Sequence, residues 1–230
     1  MDVKLINVPT YKTMLYKLIN DLDCSIDEPA KSSLVNFLIA LSSVNKSYIK
    51  YDGKIEGQSR LVPHLERVFA YELYRQWQNL LERQQFDLCL NAEPHKYRKI
   101  LEIDCDKEHA YVMPDLVLHH SQEDIQKQLA VCEIKRWVAN MQKEDIRKFA
   151  NDMNRLVDWT TPNKDCQSAR NPFDFGIFII VGNIFEGIDQ FITELLCKID
   201  VKDNANVFIV LYDGNQICIQ SIYKLKKSNY

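Results

Sequence analysis

Ala130-Val131-Cys132-Glu133-Ile134-Lys135-Arg136-Trp137 is the stretch on which the fold turns. In a strand, alternate side chains share a face. Val131, Glu133, Lys135 and Trp137 therefore fall together, and Cys132 and Ile134 fall opposite them. Apart from its charged residues, the run is apolar. An acid and an amine nevertheless interrupt one of those faces. Charge removed from water is costly unless it is paired, hydrogen-bonded or bound to a metal, so Glu133 and Lys135 call for partners.

Toward the N-terminus lies a second strand-like run, Met113-Pro114-Asp115-Leu116-Val117-Leu118. A hairpin between the two runs sets Asp115 beside Glu133. Each half also fits a plain structural job, a Pro-Asp turn and an ion pair at a strand end. A third acid comes from a helix expected over about 60–83. At 100° per residue, Val62, Phe69, Ala70, Leu73, Trp77 and Leu80 share the direction of Glu66. Glu66 thus interrupts the stripe that should face the sheet, although so early in a helix it also suits the first turn. Glu72 falls off the stripe and is expected in solvent.

Working outward, the remaining chain alternates helical and strand patterns. Helices are expected at 11–21, from Pro29 onward with Leu34, Val35, Leu38 and Leu41 on one side, at about 140–159, and near 187–199. Strands are expected at 86–91, 100–105, 114–119, 129–137, 175–181, 207–212 and 216–223. Asp213-Gly214-Asn215 between two apolar runs is a hairpin signal. Asp52-Gly53-Lys54-Ile55-Glu56-Gly57 reads as a junction. The expected organisation is an N-terminal helical extension over 1–57 and a second domain over 58–230. The class is α/β, with a central mixed sheet flanked by helices.

The 230 residues are 46% hydrophobic and 27% charged, an ordinary composition for a globular chain. The net charge of −3 argues against a protein that coats nucleic acid non-specifically, which is usually strongly basic. No apolar run approaches the ~20 residues that cross a bilayer. Met1-Asp2-Val3-Lys4-Leu5 lacks the pattern of a secretory signal, so a cytoplasmic location is expected. The seven cysteines, Cys24, Cys89, Cys105, Cys132, Cys166, Cys197 and Cys218, are scattered without CxxC spacing and read as small core residues in a reducing compartment. Phosphate-binding Gly-rich loops, HExxH and GxSxG are absent. His119 and His120, adjacent on a strand, point to opposite faces and are not a chelating pair.

Pro114-Asp115, followed by Glu133-Ile134-Lys135 and then a helix and an apolar strand, resembles the PD-(D/E)XK nuclease superfamily. The similarity covers roughly half the chain, from about 60 to 181, and leaves the first helices and the last elements unexplained. It implies a restriction-endonuclease-like core and a metal-dependent nuclease. Asp115 and Glu133, with the Ile134 carbonyl, would hold Mg²⁺ or Mn²⁺, for which hard oxygen ligands are suited. Lys135 would orient or deprotonate the attacking water and stabilise the transition state, and Glu66 resembles the additional helix acid. The implied partner is nucleic acid, DNA ahead of RNA, cut internally in a restriction or defence setting. Cutting both strands of a duplex fits a homodimer. The rivals are a nuclease-like scaffold without catalysis and an RNA-directed nuclease. Arg136, Lys143, Arg147, Lys148 and Arg155 either reach backbone phosphates or simply solvate the outer face of a helix. Lys224, Lys226 and Lys227 read as a solvated tail.

Overall fold

The most continuous apolar run, Phe175–Val181, forms a strand buried at every position, as expected of a strand covered on both faces. A computed structural model describes the chain at residues 6–7, 12–22, 26–50, 65–84, 86–92, 114–120, 128–137, 143–161, 172–182, 186–202 and 205–228. Its strands are β1 (Ile6–Asn7), β2 (Leu88–Ala92), β3 (Leu116–His120), β4 (Gln128–Arg136), β5 (Phe175–Val181), β6 (Val207–Tyr212) and β7 (Gln216–Ser221). Its helices are α1 (Lys12–Asn20), α2 (Glu28–Ser42), α3 (Ser47–Lys50), α4 (Leu65–Gln84), α5 (Lys143–Thr160), α6 (Ile188–Leu196) and α7 (Ile222–Ser228). The strand expected at 100–105, the junction at 52–57 and the residues 60–64 that were expected to open the long helix lie outside the described residues.

The sheet runs β1-β7-β6-β5-β4-β3-β2. β4, β5 and β6 are parallel at its centre, and β2, β3, β7 and β1 add antiparallel strands on either side. The fold is therefore α/β with a mixed sheet between helices. A parallel neighbour requires a crossover, and α5 and α6 supply the two at the centre. One face packs Cys132, Ile134, Ile177 and Ile179 against apolar residues of α1, α2 and α4. The other packs Val131, Trp137, Phe178 and Ile180 against α5 and α6. The helices before residue 50 belong to the first of these cores: Leu34, Val35, Phe37 and Leu38 are fully buried in it. Tyr212 Oη also reaches from β6 to donate to the Val44 carbonyl at 3.0 Å.

Local signals explain the element ends. Asp27 accepts from the Ala30 N–H at 2.9 Å and caps α2, with Pro29 in its first turn. Gly214 takes φ 88° in the β6–β7 turn, where Asp213 Oδ1 accepts from Asn215 and Gln216 N–H at 2.7 Å each. At the C-terminal ends of β4 and β5, Trp137 N–H donates to Val181 at 2.7 Å. A Cβ on Gly182 would come within 2.8 Å of Trp137 Cβ, so glycine allows the two strand ends to close together. The last expected strand is corrected: pairing stops at Ser221 and the chain turns into α7. Ile222 and Leu225, three apart, are both buried, which is the helical period. The lysines read as a loose tail sit on this helix, with Lys226 donating to the Ile199 carbonyl and Lys224 to that of Asp21.

Candidate active site

The alternation read from the sequence holds. Val131 and Trp137 lie in the core beneath α5, while Cys132 and Ile134 lie in the opposite one. Glu133 stands across from Phe178, and Lys135 from Ile180, on the parallel neighbour β5. Antiparallel pairing of Leu116 with Cys132 sets Asp115, one position earlier, across from Glu133 on the same face. Asp115, Glu133 and Lys135 are thus brought together where β3 begins and β4 nears its C-terminal end.

Glu133 is 3% exposed. Its Oε1 has no hydrogen-bond partner, and Lys135 Nζ lies 3.6 Å from its Oε2. Burial among apolar side chains pushes its carboxyl up to about 8; the Lys135 ammonium opposes that shift and the Asp115 and Asp152 carboxylates reinforce it. Burial also raises the Asp115 carboxyl, with the Ile134 N–H and the Lys135 charge pulling the other way. Lys135 is held firmly as an ammonium: burial opposes its charge, but Glu133 and Asp152 outweigh it. Two acids disfavoured as anions beside one cation constitute an electrostatically strained cluster.

Asp115 and Glu66 also meet a backbone need. Past the Leu116–Cys132 pair at the start of β3, side chains take the next β4 N–H groups on this side. The Ile134 N–H donates to Asp115 Oδ2 at 2.7 Å, and the Arg136 N–H donates to Glu66 Oε1 at 3.0 Å. The Ile134 carbonyl points to the same side as its N–H, so it too faces the Asp115 edge. Glu66 arrives from α4, on the other side of the sheet from α5, and its charge is felt at Asp115. It shares its helix face with Phe69, Leu73 and Trp77, all buried. Its place is the tip of β4, beside the strand acids.

A hard divalent cation fits the donors in kind: carboxylate oxygens, one of them buried and without a hydrogen-bond partner among the described residues. Among the described residues, no three histidines, cysteines or acids converge as a ready-made cage. Two readings are corrected. Glu72, expected in solvent, is 7% exposed. Its oxygens accept from Arg75 at 2.9 and 2.6 Å and from Gln76 at 2.7 Å. Cys197, expected in a core, is exposed, whereas Cys132 and Cys218 are buried. His119 is buried between Asn91 and the His120 carbonyl, each 2.5 Å away.

The basic residues of α5 divide. Arg147 is 72% exposed and pairs only loosely with Glu144, at 3.8 Å, and Lys148 is similarly exposed; both solvate the outer face. Arg155 instead turns inward to Asp152. Asp152 is the residue that sequence reading missed. Its Oδ2 lies 2.7 Å from Lys135 Nζ. In the sequence it looks like half of an ordinary i,i+3 pair with Arg155, and nothing local announces that it reaches β4.

Comparison with protein-family models, curated proteins and solved structures found no significant match for the chain. Among the described residues, no helix is long and apolar enough to cross a membrane.

Proposed function

We propose that the chain is a metal-dependent nuclease with a restriction-endonuclease-like core, acting on DNA ahead of RNA. The observation that carries this reading is the Glu133 carboxylate, buried with one bare oxygen, beside a second carboxylate and an ammonium. A fold that keeps such an oxygen unsatisfied forgoes stability there, which is characteristic of functional sites. Asp115 and Glu133, joined by the Ile134 carbonyl and by Glu66 at the edge, would hold Mg²⁺ or Mn²⁺. That ion would supply Lewis acidity toward a phosphodiester. The Lys135 ammonium would lie against negative charge growing on the phosphoryl oxygens. Arg136, at the tip of the same strand, would meet a neighbouring phosphate.

One observation favours a second reading, a nuclease-like scaffold without turnover: Asp115 and Glu66 already serve β4 as backbone caps. Calorimetric Mn²⁺ titration of the wild type and Asp115→Ala separates the two, run beside cleavage of duplex DNA and of RNA. The nuclease reading expects Mn²⁺ binding and DNA cleavage in the wild type, and loss of both in the variant. Absence of Mn²⁺ binding together with intact DNA and RNA overturns it in favour of the scaffold.

A further inference from the structure

The charge beneath α5 continues past Lys135. Its ammonium is 2.7 Å from Asp152 Oδ2 but 3.6 Å from Glu133 Oε2, so the tighter grip comes from the helix. The Asp152 side chain is 13% exposed and that of Lys135 18%. The other Asp152 oxygen, Oδ1, takes the Arg155 guanidinium one turn later. Both oxygens of this carboxylate are therefore committed, one to each cation. The helix beneath it is itself fixed, because Phe149, Met153, Leu156 and Val157 are buried against the sheet. Glu144–Arg147 and Asp145–Lys148 on the same helix have the same i,i+3 spacing but lie 3.8 and 3.9 Å apart on its exposed side, where such pairs count for little.

We infer that Asp152 is a positioning residue which fixes the Lys135 ammonium beside the Glu133–Asp115 pair, with Arg155 fixing Asp152 in turn. The inference rests on the nuclease reading for its consequence in catalysis, but its geometry does not depend on it. A lysine is a point charge on a flexible four-carbon stem. Facing only a carboxylate 3.6 Å away, that stem has several ways to lie; a second carboxylate on a rigid element leaves one. Catalytic groups lose efficiency steeply when displaced by an ångström. Asp152 acts through Lys135 and needs no contact with substrate.

The test combines a turnover measurement with one that needs none. Asp152→Asn keeps the shape and removes the charge, and Glu144→Ala on the exposed side of α5 serves as the control. With Mn²⁺ and duplex DNA, Asp152→Asn is expected to lower kcat by ~10- to 100-fold, leaving KM and Mn²⁺ affinity near wild type. In a Lys135→Ala background the same substitution should lower kcat no further. Asp152→Glu should recover part of the loss. In ¹⁵N-lysine spectra, the Lys135 ammonium resonance should be sharp in wild type and broadened in Asp152→Asn. An equal fall in both backgrounds, or an unaltered Lys135 resonance in a folded Asp152→Asn protein, overturns the inference. A wild type that cleaves nothing, while its Lys135 resonance still depends on Asp152, sinks the nuclease reading and leaves the positioning intact.

Discussion

Glu72 on α4 and Glu133 on β4 are almost equally removed from solvent, 7% and 3% exposed, yet the fold treats them in opposite ways. Glu72 has Arg75 and Gln76 on its own helix, and the hydrogen bond from Arg75 holds its carboxyl below the ordinary value. Glu133 has an oxygen with no partner, and burial raises its carboxyl to about 8. Burial of an acid is therefore no sign of function by itself. What separates the two is whether the surrounding groups finish the hydrogen bonding. Around Glu72 they do, and the acid is structural. Around Glu133 they leave Oε1 without a donor, on the face it shares with Asp115.

The largest effect that tests this contrast is on turnover. Glu133→Gln should reduce Mn²⁺-dependent DNA cleavage by ~10³-fold or more, while Glu72→Gln should leave it within ~2-fold. Comparable losses from both would erase the distinction. A smaller effect concerns stability and its dependence on pH. The Glu133 carboxyl titrates near 4.5 when unfolded and about 8 when folded. Between those values the folded state holds the extra proton, so this group's contribution falls as pH rises through the window. Denaturant melts in metal-free buffer should show Glu133→Gln gaining on the order of 2 kcal/mol over wild type at pH 8. The gain should vanish near pH 4, and an equal gain at both pH values would contradict the assignment. Smallest is Glu72→Gln, which should lower Tm by ~1–3 °C at pH 7. The depressed carboxyl contributes above its unfolded value and loses that contribution as pH falls through the folded one, so the difference should shrink on acidification.

Much of this was legible in the chain because periodicity encodes faces. The two-residue repeat of 130–137 put Glu133 and Lys135 on one face with Val131 and Trp137, and the helical repeat from Phe69 to Trp77 placed Glu66 toward the sheet. Asp115 beside Glu133 required only that two successive strands pair. Glu72 was misread because the same wheel that puts it off the stripe says nothing of Arg75 and Gln76 folding back over it; the spacing of three and four was present but unused. The end of β7 was misread because Ile222 and Tyr223 prolong a strand-like composition, and a helix of seven residues gives its period little room to declare itself. Asp152 stayed invisible for another reason. Its partner Lys135 is remote in sequence, and only the crossover from β4 into α5 brings them together.

The two acidic side chains at the C-terminal end of β4 bear on how other chains can meet this strand. The Ile134 and Arg136 amides are each taken by a side chain, and a backbone donor already taken is closed to a strand added from a neighbouring chain. Asp115 and Glu66 occupy those donors with negative groups that no incoming backbone can displace without leaving an acid stranded. The same two side chains that flank Glu133 and Lys135 thus finish the backbone of β4, and a chain stripped of both would leave those two amides without these acceptors.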